Sequence, residues 1–154
     1  NFFVYLKALS QGWNIKIGTT RRELSLVYIA DVVRAMVQAV VFYPQKEKIY
    51  YVTDGEHYLW SDISNSAIKI LNVRAKKLVI PEVLLPLFSY FFEALAWFGS
   101  KPPLFDRQRM IDICQTSWIA SPKEFFESHM FKPQYDLAKG LQETIDWGKK
   151  NNWL

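Results

Sequence analysis

The stretch Leu24–Val40, LSLVYIADVVRAMVQAV, changes its periodicity in the middle. Its first half is a short apolar run rich in β-branched and aromatic residues, which is typical of a strand buried on both faces. From Asp31 onward the apolar residues follow the spacing of a single helical stripe. Asp31 lies where an N-cap is expected, with its carboxylate accepting hydrogen bonds from the first-turn amides. We therefore interpret Asp31 as a structural N-cap, for which substitution by asparagine should be nearly silent.

The rest of the chain alternates helical patterns with short strand patterns. Helices are predicted over 2–9, 31–42, 59–72, 83–98, 106–114, 121–128 and 134–151. Strands are predicted over 15–18, 24–30, 48–55 and 77–80. A chain of 154 residues, half of them hydrophobic, forms one packed domain over 1–154. Alternating strands and helices indicate an α/β fold, with some helices in a separate lobe.

Charge and metal-ligating residues exclude several classes of function. The net charge of +4 is scattered, and the densest basic cluster, Arg74–Lys77, holds three basic residues. Without a basic stripe interleaved with exposed aromatics, we predict no nucleic-acid interface. His57 and His129 belong to no metal-ligand motif, so no metal site is predicted. The one cysteine, Cys114, lies at helical spacing among apolar residues and points to a reducing, cytoplasmic location.

The long apolar segment Ile80–Phe98 is interrupted by prolines and by two glutamates. A spanning helix would bury both carboxylates in lipid, so we predict no transmembrane segment. The pattern over Val83–Phe98 is nevertheless apolar on almost every side, more than one core-facing stripe requires. It predicts either a buried core helix or an apolar lid, a dimer contact or a membrane-surface contact. The candidate residues for such a contact are Phe88, Phe91, Phe92 and Trp97.

Three motifs in order resemble a known family. They are LVYIADVVRA, YYVTDGEHYLW and SWIASPKEFFESHMFKPQYDLAKGLQETIDWGKKNNWL. Together they resemble the C-terminal part of extended short-chain dehydrogenase/reductases, the NAD-dependent epimerase/dehydratase superfamily. The resemblance implies an α/β fold that is the C-terminal portion of a Rossmann-like fold, with a small mixed α/β substrate-binding lobe. It also implies that the position of Asp31 is structural and not catalytic.

The resemblance implies residues that this chain does not contain. The family binds the pyrophosphate of its cofactor with a GxxGxxG turn at a helix N-terminus, and the six glycines never fall at that spacing. A YxxxK catalytic pair is matched by Tyr135 and Lys139, but within the C-terminal helix, so we interpret both as surface residues. We therefore expect no catalytic or cofactor-binding residue here. NAD or NADP would be bound with the help of a missing N-terminal portion, and this fragment alone would bind neither and be inactive.

The motifs also bear on the substrate. Sugar-nucleotide enzymes of the family usually carry an arginine for the diphosphate where this chain has Leu24, and Arg21 or Arg22 could replace it only if their loop folds back. The pattern is more similar to the dihydroflavonol-reductase and 3β-hydroxysteroid-dehydrogenase branch, which implies an oxidoreductase acting on a hydrophobic alcohol or carbonyl. The alternatives are a nucleotide-sugar epimerase or dehydratase, and a non-catalytic binding or sensor module. For partners, a homodimer is considered beside the small-molecule substrate and the missing N-terminal portion. The candidate substrate-pocket residues are Phe2, Phe3, Phe91, Trp97 and Arg107.

Overall fold

The computed structural model describes residues 2–41, 48–87, 90 and 107–154. The helices in these ranges are α1 (Phe2–Ser10), α2 (Ile29–Val41), α3 (Trp60–Leu71), α4 (Arg107–Cys114), α5 (Lys123–His129) and α6 (Leu137–Lys150). The strands are β1 (Trp13–Ile17), β2 (Glu23–Leu24), β3 (Tyr58–Leu59), β4 (Lys76–Ile80) and β5 (Ser117–Trp118). A short 3-10 turn covers Glu82–Leu84. The predicted mixed α/β fold is confirmed.

Two small sheets organise the described residues. β1 and β4 pair in parallel, with Trp13 opposite Lys76 and Ile17 opposite Ile80. β2 lies between β3, to which it is antiparallel, and β5, to which it is parallel. The strands predicted over 15–18 and 77–80 are thus confirmed, with small shifts at their ends.

Two predicted strands are wrong in extent. The strand predicted over 24–30 shares only Leu24 with β2 before helix α2 starts, and residues 48–57 contain no strand. The two segments still touch, because the Asp54 amide donates to the Leu26 carbonyl over 2.8 Å. A strand buried on both faces forms a continuous series of backbone hydrogen bonds with its neighbouring strands. The single bond between Asp54 and Leu26 is not such a series.

Two hydrophobic clusters form the core. The first joins α1, α3 and α6 through residues that are almost fully buried: Leu6, Leu9, Ala67, Leu141 and Ile145. The second joins α2 to α5 and the segment after it through Ala35, Phe125 and Phe131. The helix predicted over 134–151 is confirmed as α6, which contributes Leu141 and Ile145 to the first cluster.

Helix starts differ from the predictions in informative ways. α2 begins at Ile29, so Asp31 lies within its first turn and is not the N-cap. α5 is preceded by Pro122 at the N-cap, and not by Ser121. α6 is capped by Asp136, whose carboxylate accepts from the Lys139 amide over 2.8 Å. In each case the helix starts two or three residues from the predicted position.

The predicted apolar helix 83–98 lies largely outside the described residues. Of the part that is described, Leu85 is buried, whereas Val83 and Leu87 are exposed. Phe88, Phe91, Phe92 and Trp97 all fall outside it. Over the described ranges, no helix is both long and apolar enough to cross a membrane.

Candidate substrate site

The carboxyl ends of β1 and β4 form the candidate site. Ligands of parallel α/β sheets bind at the ends where the strands finish, because loops diverge there and leave a crevice. Gly18 follows β1 directly, and its amide donates to the Ile80 carbonyl over 2.8 Å. Its φ of +62° favours glycine, and a Cβ here would lie 2.0 Å from a carboxylate oxygen of Glu82. The glycine therefore lets the Glu82 side chain cross the end of β1.

The loop after Gly18 folds back onto this edge. Arg22 donates through Nη1 to the Ile17 carbonyl (2.6 Å) and through Nη2 to Glu82 Oε1 (2.7 Å). Thr20 donates to the same carboxylate oxygen over 3.0 Å. The sequence analysis required this loop to fold back if an arginine was to reach the site, and Arg22 meets that requirement. Its neighbour Arg21 instead pairs with Glu23 and is largely exposed.

Electrostatics fix the charge state of this cluster. Hydrogen bonds from Arg22 and Thr20 hold the pKa of the Glu82 carboxyl below its usual range. The carboxylate is therefore ionised at neutral pH and compensates the guanidinium. Only 14% of the Arg22 side chain is exposed, and its Nε is buried without a hydrogen-bond partner among the described residues. This Nε donor is thus buried and unsatisfied among the described residues.

An apolar sheet face leads to the ion pair. Residues opposite each other in the parallel register share a face, so Trp13, Ile15 and Ile17 lie on the same side as Leu78 and Ile80. The other side is the one that α1 approaches, since Tyr5 of α1 donates to the Asn14 carboxamide over 3.2 Å. The site is thus an apolar strip that ends in a compensated charge pair.

The predicted pocket residues are not assembled by the described part of the structure. Phe3 packs its ring 5.6 Å from that of Trp147 and 5.3 Å from that of Trp153, where α1 meets the chain end after α6. Phe2 lies beside Tyr5 on α1, with 38% of its surface exposed. Arg107 begins α4, but its side chain is outside the described set, as are Phe91 and Trp97.

Asp31 holds two distant segments together. Its Oδ2 accepts from the amides of Gln134 (2.9 Å) and Tyr135 (3.0 Å), and its Oδ1 accepts from Arg34 (2.5 Å). The residue is 1% exposed. The carboxylate therefore fixes the chain just before α6 against the first turn of α2, which is a structural contact of longer range than the predicted N-cap.

Tyr135 and Lys139 make a cation–π contact. The Lys139 ammonium lies 4.2 Å from the centroid of the Tyr135 ring and donates to the Gln134 carbonyl over 3.2 Å. The Tyr135 ring also packs 4.4 Å from that of Tyr28. Elsewhere, the described residues contain no group of His, Cys, Asp and Glu that could hold a metal ion.

Comparison with known proteins identifies the fold. No family model and no curated protein matches the chain. Among solved structures, UDP-glucose 4-epimerase from Thermotoga maritima matches 99% of this chain and 40% of its own, with 14% identity and a TM-score of 0.69. UDP-glucuronic acid 4-epimerase from Bacillus cereus, solved with NAD, matches over 97% and 39%, with 16% identity and a TM-score of 0.67. dTDP-glucose 4,6-dehydratase from Bacillus anthracis, also with NAD, matches over 97% and 39%, with 12% identity and a TM-score of 0.62.

The chain has the NAD-dependent epimerase/dehydratase fold. It spans about two fifths of the length of these solved proteins. The predicted Rossmann-like α/β fold is therefore confirmed. The neighbours are nucleotide-sugar enzymes, the class that the sequence pattern placed second.

Proposed function

We propose that the chain is the substrate-binding part of an NAD(P)-dependent oxidoreductase that acts on an apolar alcohol or carbonyl compound of the sterol or dihydroflavonol type. The shared fold supports the use of a nicotinamide cofactor, since two of the solved neighbours carry NAD. The observation that favours an apolar substrate is the ion pair between Arg22 and Glu82. A diphosphate would have to displace the carboxylate from the guanidinium, whereas an apolar ring system meets the strip of β1 and β4 without disturbing the pair.

We further propose that an N-terminal portion of the same chain supplies the cofactor site and the catalytic pair. The exposed stripe of α2 supports this arrangement, because Ile29, Met36 and Val40 are each more than 60% exposed. A contiguous apolar stripe of this kind normally packs against another element. Strands supplied by the N-terminal portion would cover this stripe. A second copy of the chain, packed on the same stripe, is the alternative. The chain by itself would then bind neither NAD nor NADP, and calorimetric titration that found micromolar binding would contradict this.

A nucleotide-sugar epimerase or dehydratase is the second candidate. The buried Nε of Arg22, which has no partner among the described residues, favours it, because a phosphate oxygen could accept from that donor. The named substrates of the solved neighbours favour it as well. A third alternative is a cytoplasmic binding or sensor module without catalysis. A degraded glycine-rich turn or Tyr–Lys pair in the N-terminal portion would support that module.

Two variants of the full-length protein separate the two enzymatic candidates. Glu82→Gln and Arg22→Gln each break the same ion pair, and NAD(P)H-coupled turnover of aromatic and steroid ketones is measured beside calorimetric titration with UDP and dTDP. For an apolar substrate we expect both variants to raise the KM for the ketone alike, and no nucleotide to bind. If Glu82→Gln tightens UDP binding while Arg22→Gln abolishes it, the site holds a diphosphate and the proposal is wrong.

A further inference from the structure

Two stretches of the chain without any acidic residue lie side by side. Residues 2–22 and 63–81 contain no Asp or Glu. They carry eight basic residues: Lys7, Lys16, Arg21, Arg22, Lys69, Arg74, Lys76 and Lys77. The parallel pairing of β1 with β4 joins the two stretches, and contacts between α1 and α3 join them again. The two stretches without acidic residues are therefore neighbours in the fold.

The basic residues at the amino end of β4 are free to meet a partner. Arg74, Lys76 and Lys77 are all exposed, and among the described residues none of them makes an ion pair. Arg22, by contrast, is engaged by Glu82 at the opposite end of the sheet. The sheet therefore has an uncompensated positive end and a compensated end.

Exposed apolar side chains accompany these charges. Trp13 is directly opposite Lys76 in the sheet and is 48% exposed, and Leu78, two residues along β4, is 44% exposed. Lysines that flank a tryptophan and aliphatic side chains form the pattern with which proteins bind the interface of a bilayer.

We propose that Trp13, Lys76 and Leu78, which share one face of the β1–β4 sheet, together with Arg74 just before β4, dock the protein on a membrane surface that contains anionic lipids. Basic side chains are attracted to the negative surface potential of such a leaflet. The indole and the leucine enter the headgroup region, where amphipathic rings are stabilised. This docking goes beyond the proposed function: it uses Trp13 and Leu78 near the amino end of the apolar strip and leaves the carboxyl end, beside Ile17, Ile80 and the ion pair, to the substrate.

Vesicle co-sedimentation of the full-length protein tests the docking surface. Vesicles of phosphatidylcholine with phosphatidylserine are compared with vesicles of phosphatidylcholine alone. Each basic residue near an anionic surface contributes roughly fivefold to partitioning, so Arg74→Gln with Lys76→Gln should weaken binding to the anionic vesicles about 25-fold. The matched control is Lys149→Gln with Lys150→Gln, an exposed basic pair at the end of α6, which should leave binding unchanged.

A second variant tests the apolar part. Trp13→Gln keeps every charge, and we expect it to weaken binding several-fold while the unfolding midpoint stays close to that of the unmodified protein. Salt should release the unmodified protein from anionic vesicles, since exposed charges are screened. The proposal is overturned if the protein does not bind anionic vesicles, if the Lys149 and Lys150 control loses as much binding as the Arg74 and Lys76 variant, or if Trp13→Gln changes nothing. Binding of a DNA duplex in place of vesicles would overturn it in favour of a nucleic-acid interface.

Discussion

Asp31→Ala is expected to lower the free energy of unfolding by about 2–4 kcal/mol, mainly through the loss of two hydrogen bonds from backbone amides to a charged acceptor. The carboxylate is 1% exposed and accepts from two backbone amides and one guanidinium. Alanine leaves the amides of Gln134 and Tyr135 without this acceptor, and each lost bond costs about 1–2 kcal/mol. The segment that leads into α6 then loses its attachment to α2.

Asp31→Asn separates the two amide bonds from the ion pair. The carboxamide oxygen can still accept from both amides, but its NH₂ group then faces the guanidinium of Arg34. Because 37% of the Arg34 side chain is exposed, solvent screens that contact, and we expect a loss of about 1–2 kcal/mol. Arg34→Gln is the matched control, with a loss below about 1 kcal/mol.

Urea unfolding followed by tryptophan fluorescence measures all three variants. The expected order of destabilisation is alanine, then asparagine, then the Arg34 control. If asparagine is silent and alanine costs only about 0.5–2 kcal/mol, Asp31 behaves as an ordinary N-cap. The long-range attachment would then contribute nothing, and the sequence-based interpretation would be right.

Three further changes test the core and the site. Gly18→Ala should lower the free energy of unfolding by about 1–2 kcal/mol, because of the positive φ and the clash with Glu82. If the same substitution costs as much in a Glu82→Ala variant, the clash is absent. Because the pKa of Glu82 is lowered in the folded protein, its ion pair with Arg22 stabilises the fold above the ordinary carboxyl pKa, and this stabilisation is lost as the pH falls. Acid unfolding of Arg22→Gln should therefore begin at a higher pH. An unchanged acid-unfolding curve would mean that the ion pair does not stabilise the fold. Phe125→Ala, at a 2% exposed ring in the second core cluster, should cost about 3–5 kcal/mol in urea unfolding, and a loss below about 1 kcal/mol would mean that the cluster is not core.

Helices were predictable because their signals are local. The stripe that ends in Leu141 and Ile145 repeats every three to four residues, and the structure buries it as expected. Strands were less predictable, since a strand exists only where a partner supplies a ladder. The run from Leu24 looked like a buried strand by composition, yet in the described structure it shares only Leu24 with β2 before α2 begins.

Only part of the candidate site could be predicted from the sequence. Arg22 could be singled out, because a diphosphate arginine is expected near that strand in the family. Its partner Glu82 could not, because it lies 60 residues away and is followed by an apolar segment that gives no polar signal. The same distance problem hid the role of Asp31, whose amide partners lie 103 and 104 residues further along the chain. Phe3 looked like a pocket residue, but nothing local indicated that Trp147 and Trp153 would pack against it.

Hydrogen–deuterium exchange of the full-length protein tests the proposed apolar substrate most directly. Backbone amides of residues 13–22 and 76–84 are followed with NAD(P) present, after addition of a steroid or aromatic ketone or of a UDP-sugar. We expect the ketone to slow exchange along β1, β4 and the Gly18 loop, and the UDP-sugar to leave these amides unchanged. Slower exchange at the Gly18 loop with the UDP-sugar, and none with any ketone, would contradict an apolar substrate and make the chain part of a nucleotide-sugar enzyme.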